Sequence, residues 1–290
     1  MKRWLIRTFA AAAALLCTAC TKAEQQPNII ATTMPVYTFT QALCTDTPLT
    51  VSQLIQDNVS CLHDYTLTVD HMKRLENADI IVISGGGLEH FLEDVITDDK
   101  AMIDASAQLK LHHTEEHHHA EDHHHDVDPH FWLSIENSKQ MAHSICEGLK
   151  KAYPEYTAVF EQNLAELDKR FEQLQRHADT QLSAINCREI ITFHDGFFYM
   201  ADAFNLTILH SVEEESGSEA SAKDLIAICE LVQDHSLPAI FAEKNGSDSA
   251  AKIIYAETGA KLYRLDMAMS GENYFDCMYY NINTLKEALG

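Results

Sequence analysis

Two series of short β-branched runs alternating with helical patterns, separated by one long helical stripe, constrain the fold of this chain more than any other feature. In the first series Asn28 to Thr33, Thr50 to Leu54, Asp79 to Ser84 and Met102 to Ala105 read as strands, with helices between them such as Asp70 to Asn77 and Glu89 to Ile96. The second has strands at Glu189 to Phe193, Thr207 to His210, Ala239 to Ala242 and Lys261 to Leu265. Its helices fall at Ser221 to Asp234, Ser249 to Glu257 and Tyr274 to Leu289. Strand, helix, strand repeated in this way implies a parallel sheet covered by helices. The expected fold class is α/β, with two parallel-sheet domains.

Between the series, Pro154 opens a stretch to Ser183 with apolar residues at Tyr156, Val159, Phe160, Leu164, Leu167, Phe171, Leu174 and Leu182. Spacings of three, four and seven describe one face of a helix, and proline suits its first turn. About thirty residues would reach roughly 45 Å, a stiff brace between the halves. The expected division is a leader at 1–20, an N-terminal α/β domain at 27–152, a linking helix at 153–184 and a C-terminal α/β domain at 186–290.

The leader reads as an export signal, because Lys2, Arg3 and Arg7 precede an apolar run from Ala10 to Leu16 that is too short to be an ordinary span. Leu16-Cys17-Thr18-Ala19-Cys20 approximates the small-residue-then-cysteine site of lipidated bacterial proteins, and Cys20 is the expected lipidation site. Cys17 is an unusual occupant of that pattern, and plain cleavage near Ala19 is the alternative. Either way the chain is expected outside the cytoplasm, on the cell membrane or in a periplasm. Its formal charge of −23 repels nucleic acid and anionic lipid and attracts cations. Six further cysteines, at 44, 61, 146, 187, 229 and 277, form no C-x-x-C motif. Disulfides and buried thiols both remain open for them.

Metal chemistry enters through histidine. The tract His112, His113, His117, His118, His119, His123, His124 and His125 interleaves imidazoles with acids, and residues 112–126 show no apolar periodicity. Such a composition supplies several weak auxiliary metal sites, or else only an acidic surface loop. Four other residues, His63, His130, His194 and Asp266, each sit just beyond an expected strand, where open α/β sheets bind ligands. Three imidazoles and a carboxylate suit tetrahedral Zn²⁺, whereas Mn²⁺ favours more oxygen. Asp195 and Glu243, also at strand ends, are candidate acceptors that set a ligand imidazole's tautomer, or alternatively caps for the next helix. Ser84-Gly85-Gly86-Gly87 lacks the spacing of a phosphate loop and reads as a tight turn.

These residues lie within motifs by which the chain resembles the metal-binding solute-binding proteins of bacterial ABC transporters, and among them the zinc-uptake members. The resemblance runs from about Pro27 to the C-terminus. It rests on His63-Asp64-Tyr65, Met72-Lys73-Arg74-Leu75, Gly87-Leu88-Glu89, His130-Phe131-Trp132-Leu133-Ser134, Thr192-Phe193-His194-Asp195, Phe241-Ala242-Glu243, and Thr258-Gly259-Ala260 leading to Leu265-Asp266. It implies that His63, His130 and His194 are metal ligands and Asp266 the fourth. Histidine at 194, where manganese-type relatives carry glutamate, points to zinc. Two departures bear on the fourth place: Leu62 stands where some zinc members have an acid, and Met267 where a proline usually follows the aspartate. The implied function is extracytoplasmic zinc capture and delivery to an ABC permease with its ATPase, by a monomeric lipid-anchored protein that is no enzyme. A zinc hydrolase, against which stands the lack of H-E-x-x-H, and an adhesin or zinc store are the alternatives.

Overall fold

The computed structural model describes residues 28–56, 62, 65–93, 95–96, 100–112, 127–213, 221–244, 249–269, 271 and 273–290. The leader with Cys20, His63, Cys61, and the tract residues His113, His117, His118, His119, His123, His124 and His125 lie outside the described residues.

Two parallel four-stranded sheets form the frame. The first contains β1 (Asn28–Ala31), β2 (Thr50–Gln53), β3 (Ile80–Ile83) and β4 (Ala101–Asp104) in the order β2-β1-β3-β4. The second contains β5 (Glu189–His194), β6 (Thr207–Glu213), β7 (Ala239–Glu243) and β8 (Lys261–Leu265) in the order β6-β5-β7-β8. The halves thus repeat one topology, and in each the strand order reverses beside its first strand, between β1 and β3 and between β5 and β7. Such reversals open a crevice at the carboxyl ends of the flanking strands.

The helices are α1 (Met34–Leu43), α2 (Val69–Glu76), α3 (Ile135–Ala152), α4 (Thr157–Leu182), α5 (Phe198–Ala203), α6 (Ala222–Asp234), α7 (Ser249–Thr258) and α8 (Tyr274–Leu289). The expected linking helix starts as a single 3-10 turn, Pro154–Tyr156, before α4 proper. Proline has no N–H to donate, so the turn at its own position carries no helical cost. The helix expected over 89–96 reduces, among the described residues, to a 3-10 turn at His90–Leu92. The preceding Gly85, Gly86 and Gly87 all take positive φ, and Glu89 is drawn back to accept the Ser84 and Gly85 amides at 2.7 and 3.0 Å. That turn consumes the carboxylate that would otherwise open a regular helix.

α4 buries Phe160, Leu167, Phe171, Leu174, Ala178 and Leu182, and packs against α1, α3 and α8. At the junction Phe171 meets Phe39 of α1 and Phe275 of α8 with ring centroids 5.4 and 5.0 Å apart, while Tyr274 sits 5.0 Å from Phe39. Such aromatic pairs add about 0.5–1.5 kcal/mol each beyond the area they bury. One continuous apolar core runs from β1 through these helices to α8, and a smaller one lies between the second sheet and α6 and α7. A junction this large and apolar resists wide hinge opening. The five described cysteines are free thiols, and burial pushes the Cys44 thiol up to about 12 and that of Cys146 to about 11. None of the described helices is long and apolar enough to cross a membrane.

Candidate metal centre

His130 and His194 come from different halves and meet. His194 is the last residue of β5, so the strand itself aims its ring. His130 follows the long β4–α3 connection and opens a 3-10 turn, Phe131–Leu133, that leads into the Ser134 cap of α3. That turn is fastened to the second half. The Trp132 indole donates to the Met267 carbonyl at 2.8 Å, and the Tyr274 hydroxyl donates to the Trp132 carbonyl at 2.9 Å. Both bonds are buried, where a hydrogen bond is expensive to lose.

The two imidazoles are 2% exposed and stand at right angles, with Nε2 facing Nε2 at 3.4 Å. On the far side of each ring are carboxylates. Asp128 Oδ1 accepts from the His130 amide and from its Nδ1, both at 2.9 Å. His194 Nδ1 lies 3.4 Å from Asp195 Oδ1 and 3.4 Å from Glu243 Oε1. An acceptor at Nδ1 selects the tautomer that carries its proton there and leaves Nε2 with a lone pair. The His130 lone pair then faces the His194 Nε2 across 3.4 Å, where a cation could take the place of a hydrogen bond between the two nitrogens. Two ligands of a tetrahedral Zn²⁺ bound at ~2.0–2.1 Å would be about 3.3–3.4 Å apart, so the pair already has the spacing of one edge of that tetrahedron.

Gly196 permits the approach. A β-carbon there would lie 2.6 Å from His130 Nδ1, inside any real contact, so the backbone after His194 is the floor on which the His130 ring rests. Burial on its own would raise the Asp128 carboxyl, yet the hydrogen bonds it accepts from the His130 ring and amide hold it below the ordinary carboxylate range.

Asp266 is placed differently. It ends the loop entry after β8, where its Oδ1 accepts the Ala268 amide at 2.8 Å and its Oδ2 the Lys244 ammonium at 3.3 Å. Among the described residues no three His, Cys, Asp or Glu side chains gather as a metal-holding group. His112, the first residue of the tract, stacks on Phe198 of α5 at 3.8 Å between centroids and 15° between planes. Sequence reasoning missed Asp128. The signal was its place two residues before His130, from which one short carboxylate reaches both the amide and the ring.

Twin parallel sheets with paired imidazoles where they meet are an arrangement suited to a metal-binding solute-binding protein. A profile of the family described as ZnuA, the periplasmic component A of the zinc-uptake complex, matches residues 29–288, and the chain belongs to that family. A Treponema pallidum protein proposed to bind metal is 27% identical over 81% of this chain and 78% of its own length. The zinc-binding lipoprotein AdcA of Streptococcus pneumoniae is 28% identical over 94% of this chain, which spans only 58% of AdcA. The Zn(II)-bound ZnuA-like domain of that same protein matches in structure with a TM-score of 0.77 at 26% identity, over 91% of this chain and 99% of the domain. Membership in this family removes the hydrolase alternative.

Proposed function

We propose that the protein captures Zn²⁺ outside the cytoplasm and hands it to the permease of an ABC importer, whose ATPase supplies the energy. The observation that carries this reading is the 3.4 Å approach of His130 Nε2 and His194 Nε2, each backed by carboxylates on Nδ1. His63 supplies the third imidazole and Asp266 is the candidate fourth ligand, which would have to exchange Lys244 for the metal. Imidazole donors favour Zn²⁺ over Mn²⁺. The histidine tract, His112 to His125, supplies weak sites that gather metal near the cleft, and Cys20 anchors a monomer to the membrane. The chain works as two α/β domains, 27–152 and 186–290, joined by the helix of 153–184, whose buried face favours local loop movement over wide opening for release. The zinc-binding relative and its zinc-bound domain support the metal assigned.

The test is metal analysis of the purified chain after brief exposure to a weak chelator that strips loosely held ions. One zinc per chain should remain, and His130→Ala or His194→Ala should lose it. A strain lacking the gene should grow poorly on limiting zinc and recover with the parent but not with either variant. Retention of the tight zinc by both variants would contradict the proposal.

A further inference from the structure

The neck of the histidine tract carries a relay that ends on the imidazole pair. The Tyr199 hydroxyl of α5 accepts the His112 amide at 2.7 Å. The His112 carbonyl accepts the Asp128 amide at 3.1 Å. The Asp128 carboxylate in turn holds the His130 amide and Nδ1. Three linked contacts thus run from a helix of the second half to a ligand imidazole of the first, and none of them uses residues 113–126. The stacking of His112 on Phe198 braces the same neck. Tyr199 is itself buried and meets Phe131, the neighbour of His130, edge-on with centroids 6.4 Å apart. Burial and the nearby Asp128 charge push its phenol up, opposed by the His112 amide, so it remains a neutral hydroxyl.

We propose that Tyr199 is a positioning residue for metal retention: by holding the His112 neck it fixes Asp128 against His130 and slows departure of a cation from the imidazole pair. The inference rests on the metal-site reading above. The phenol never touches the metal. A carboxylate on the outer nitrogen of a ligand imidazole fixes ring orientation and raises donor strength, so a looser Asp128 weakens the His130 bond to metal.

Tyr199→Phe keeps the ring and its packing while removing the acceptor. The full chain, loaded with one equivalent of Zn²⁺, is mixed with excess strong chelator, and the slow phase of release is followed. Release should be about three- to tenfold faster in Tyr199→Phe, the effect of one lost hydrogen bond. In an Asp128→Asn background the same substitution should add less than about twofold, because contacts in one chain are not additive. The His130 Nδ1–H resonance of the zinc-loaded protein should exchange faster in Tyr199→Phe, which a merely structural role would not require. An unchanged release rate, or the same acceleration in both backgrounds, would overturn the proposal. Tight zinc retained by both His130→Ala and His194→Ala would instead overturn the metal-site reading itself, whatever Tyr199 does.

Discussion

His130 Nε2 and His194 Nε2 point at each other across 3.4 Å although 63 residues and the long helix α4 separate them in the chain. Contacts on both sides hold this approach in place. β5 aims one ring, the Trp132 and Tyr274 bonds across the halves aim the other, and Asp128, Asp195 and Glu243 orient both. Side chains held in this way would spend little binding energy on being ordered around a cation.

Gly196→Ala should damage the site without touching a ligand. The added methyl would sit 2.6 Å from His130 Nδ1, where it displaces the ring and competes with Asp128. Overpacking of this kind costs about 1–3 kcal/mol of stability. Disturbing the outer support of a ligand costs about 10–100-fold in metal affinity. Thermal unfolding and competitive zinc titration of the variant check both; unchanged affinity would mean that the floor under His130 yields.

Phe171→Ala tests the brace. The ring is 1% exposed and joins α4 to Phe39 of α1 and Phe275 of α8. Its loss should cost about 3–5 kcal/mol, as for other buried aromatics, read by denaturant unfolding. Native-state hydrogen exchange should show the loss in both sheets, since one core spans them. Exchange rising in only one sheet would indicate halves that unfold independently.

Zinc affinity should fall with acid. Metal binds the neutral imidazole, so below the ordinary histidine value near ~6.5 each ligand histidine adds a competing proton. The apparent association constant should drop by more than tenfold per pH unit below about 6, a slope that one histidine alone does not give. Titrations from pH 7.5 to 5 with the His194→Ala variant alongside measure the slope and its reduction.

Asp266→Ala separates ligation from scaffolding. Removing the carboxylate leaves the buried Ala268 amide without its acceptor and should cost about 1–3 kcal/mol of stability. Because Lys244 already holds the other oxygen, zinc affinity should fall by less than in His130→Ala or His194→Ala. A larger fall than in either histidine variant would give Asp266 a stronger part than its partners here imply.

Much of this was legible in the sequence where local pattern and final environment agree. β8 at Lys261–Leu265 and α8 at Tyr274–Leu289 begin and end where the apolar pattern does, helped by the Asn273 side chain capping the helix. α1 was hidden because it is buried nearly all round, with Thr38 and Thr40 inside alongside Met34, Val36, Phe39 and Leu43, so no polar face marks a period. α3 buries Ser138, Ser144 and Cys146 within its stripe, and small polar residues blur the same signal. At the site, strand-end positions exposed His194 and Glu243 to inspection. Tyr199 reads in the sequence only as a packing aromatic, and its bond to the His112 amide, like that of Asp128 to the His130 ring, is not legible there because it forms only when a loop neck docks on a distant helix.

The most direct measurement is the anomalous difference map at the zinc absorption edge from crystals of the zinc-loaded protein. The account predicts one strong peak about 2.0–2.1 Å from both His130 Nε2 and His194 Nε2, with Asp128 still on His130 Nδ1. A tightly held zinc bonded to neither Nε2 atom, with the two rings left facing each other, would contradict it.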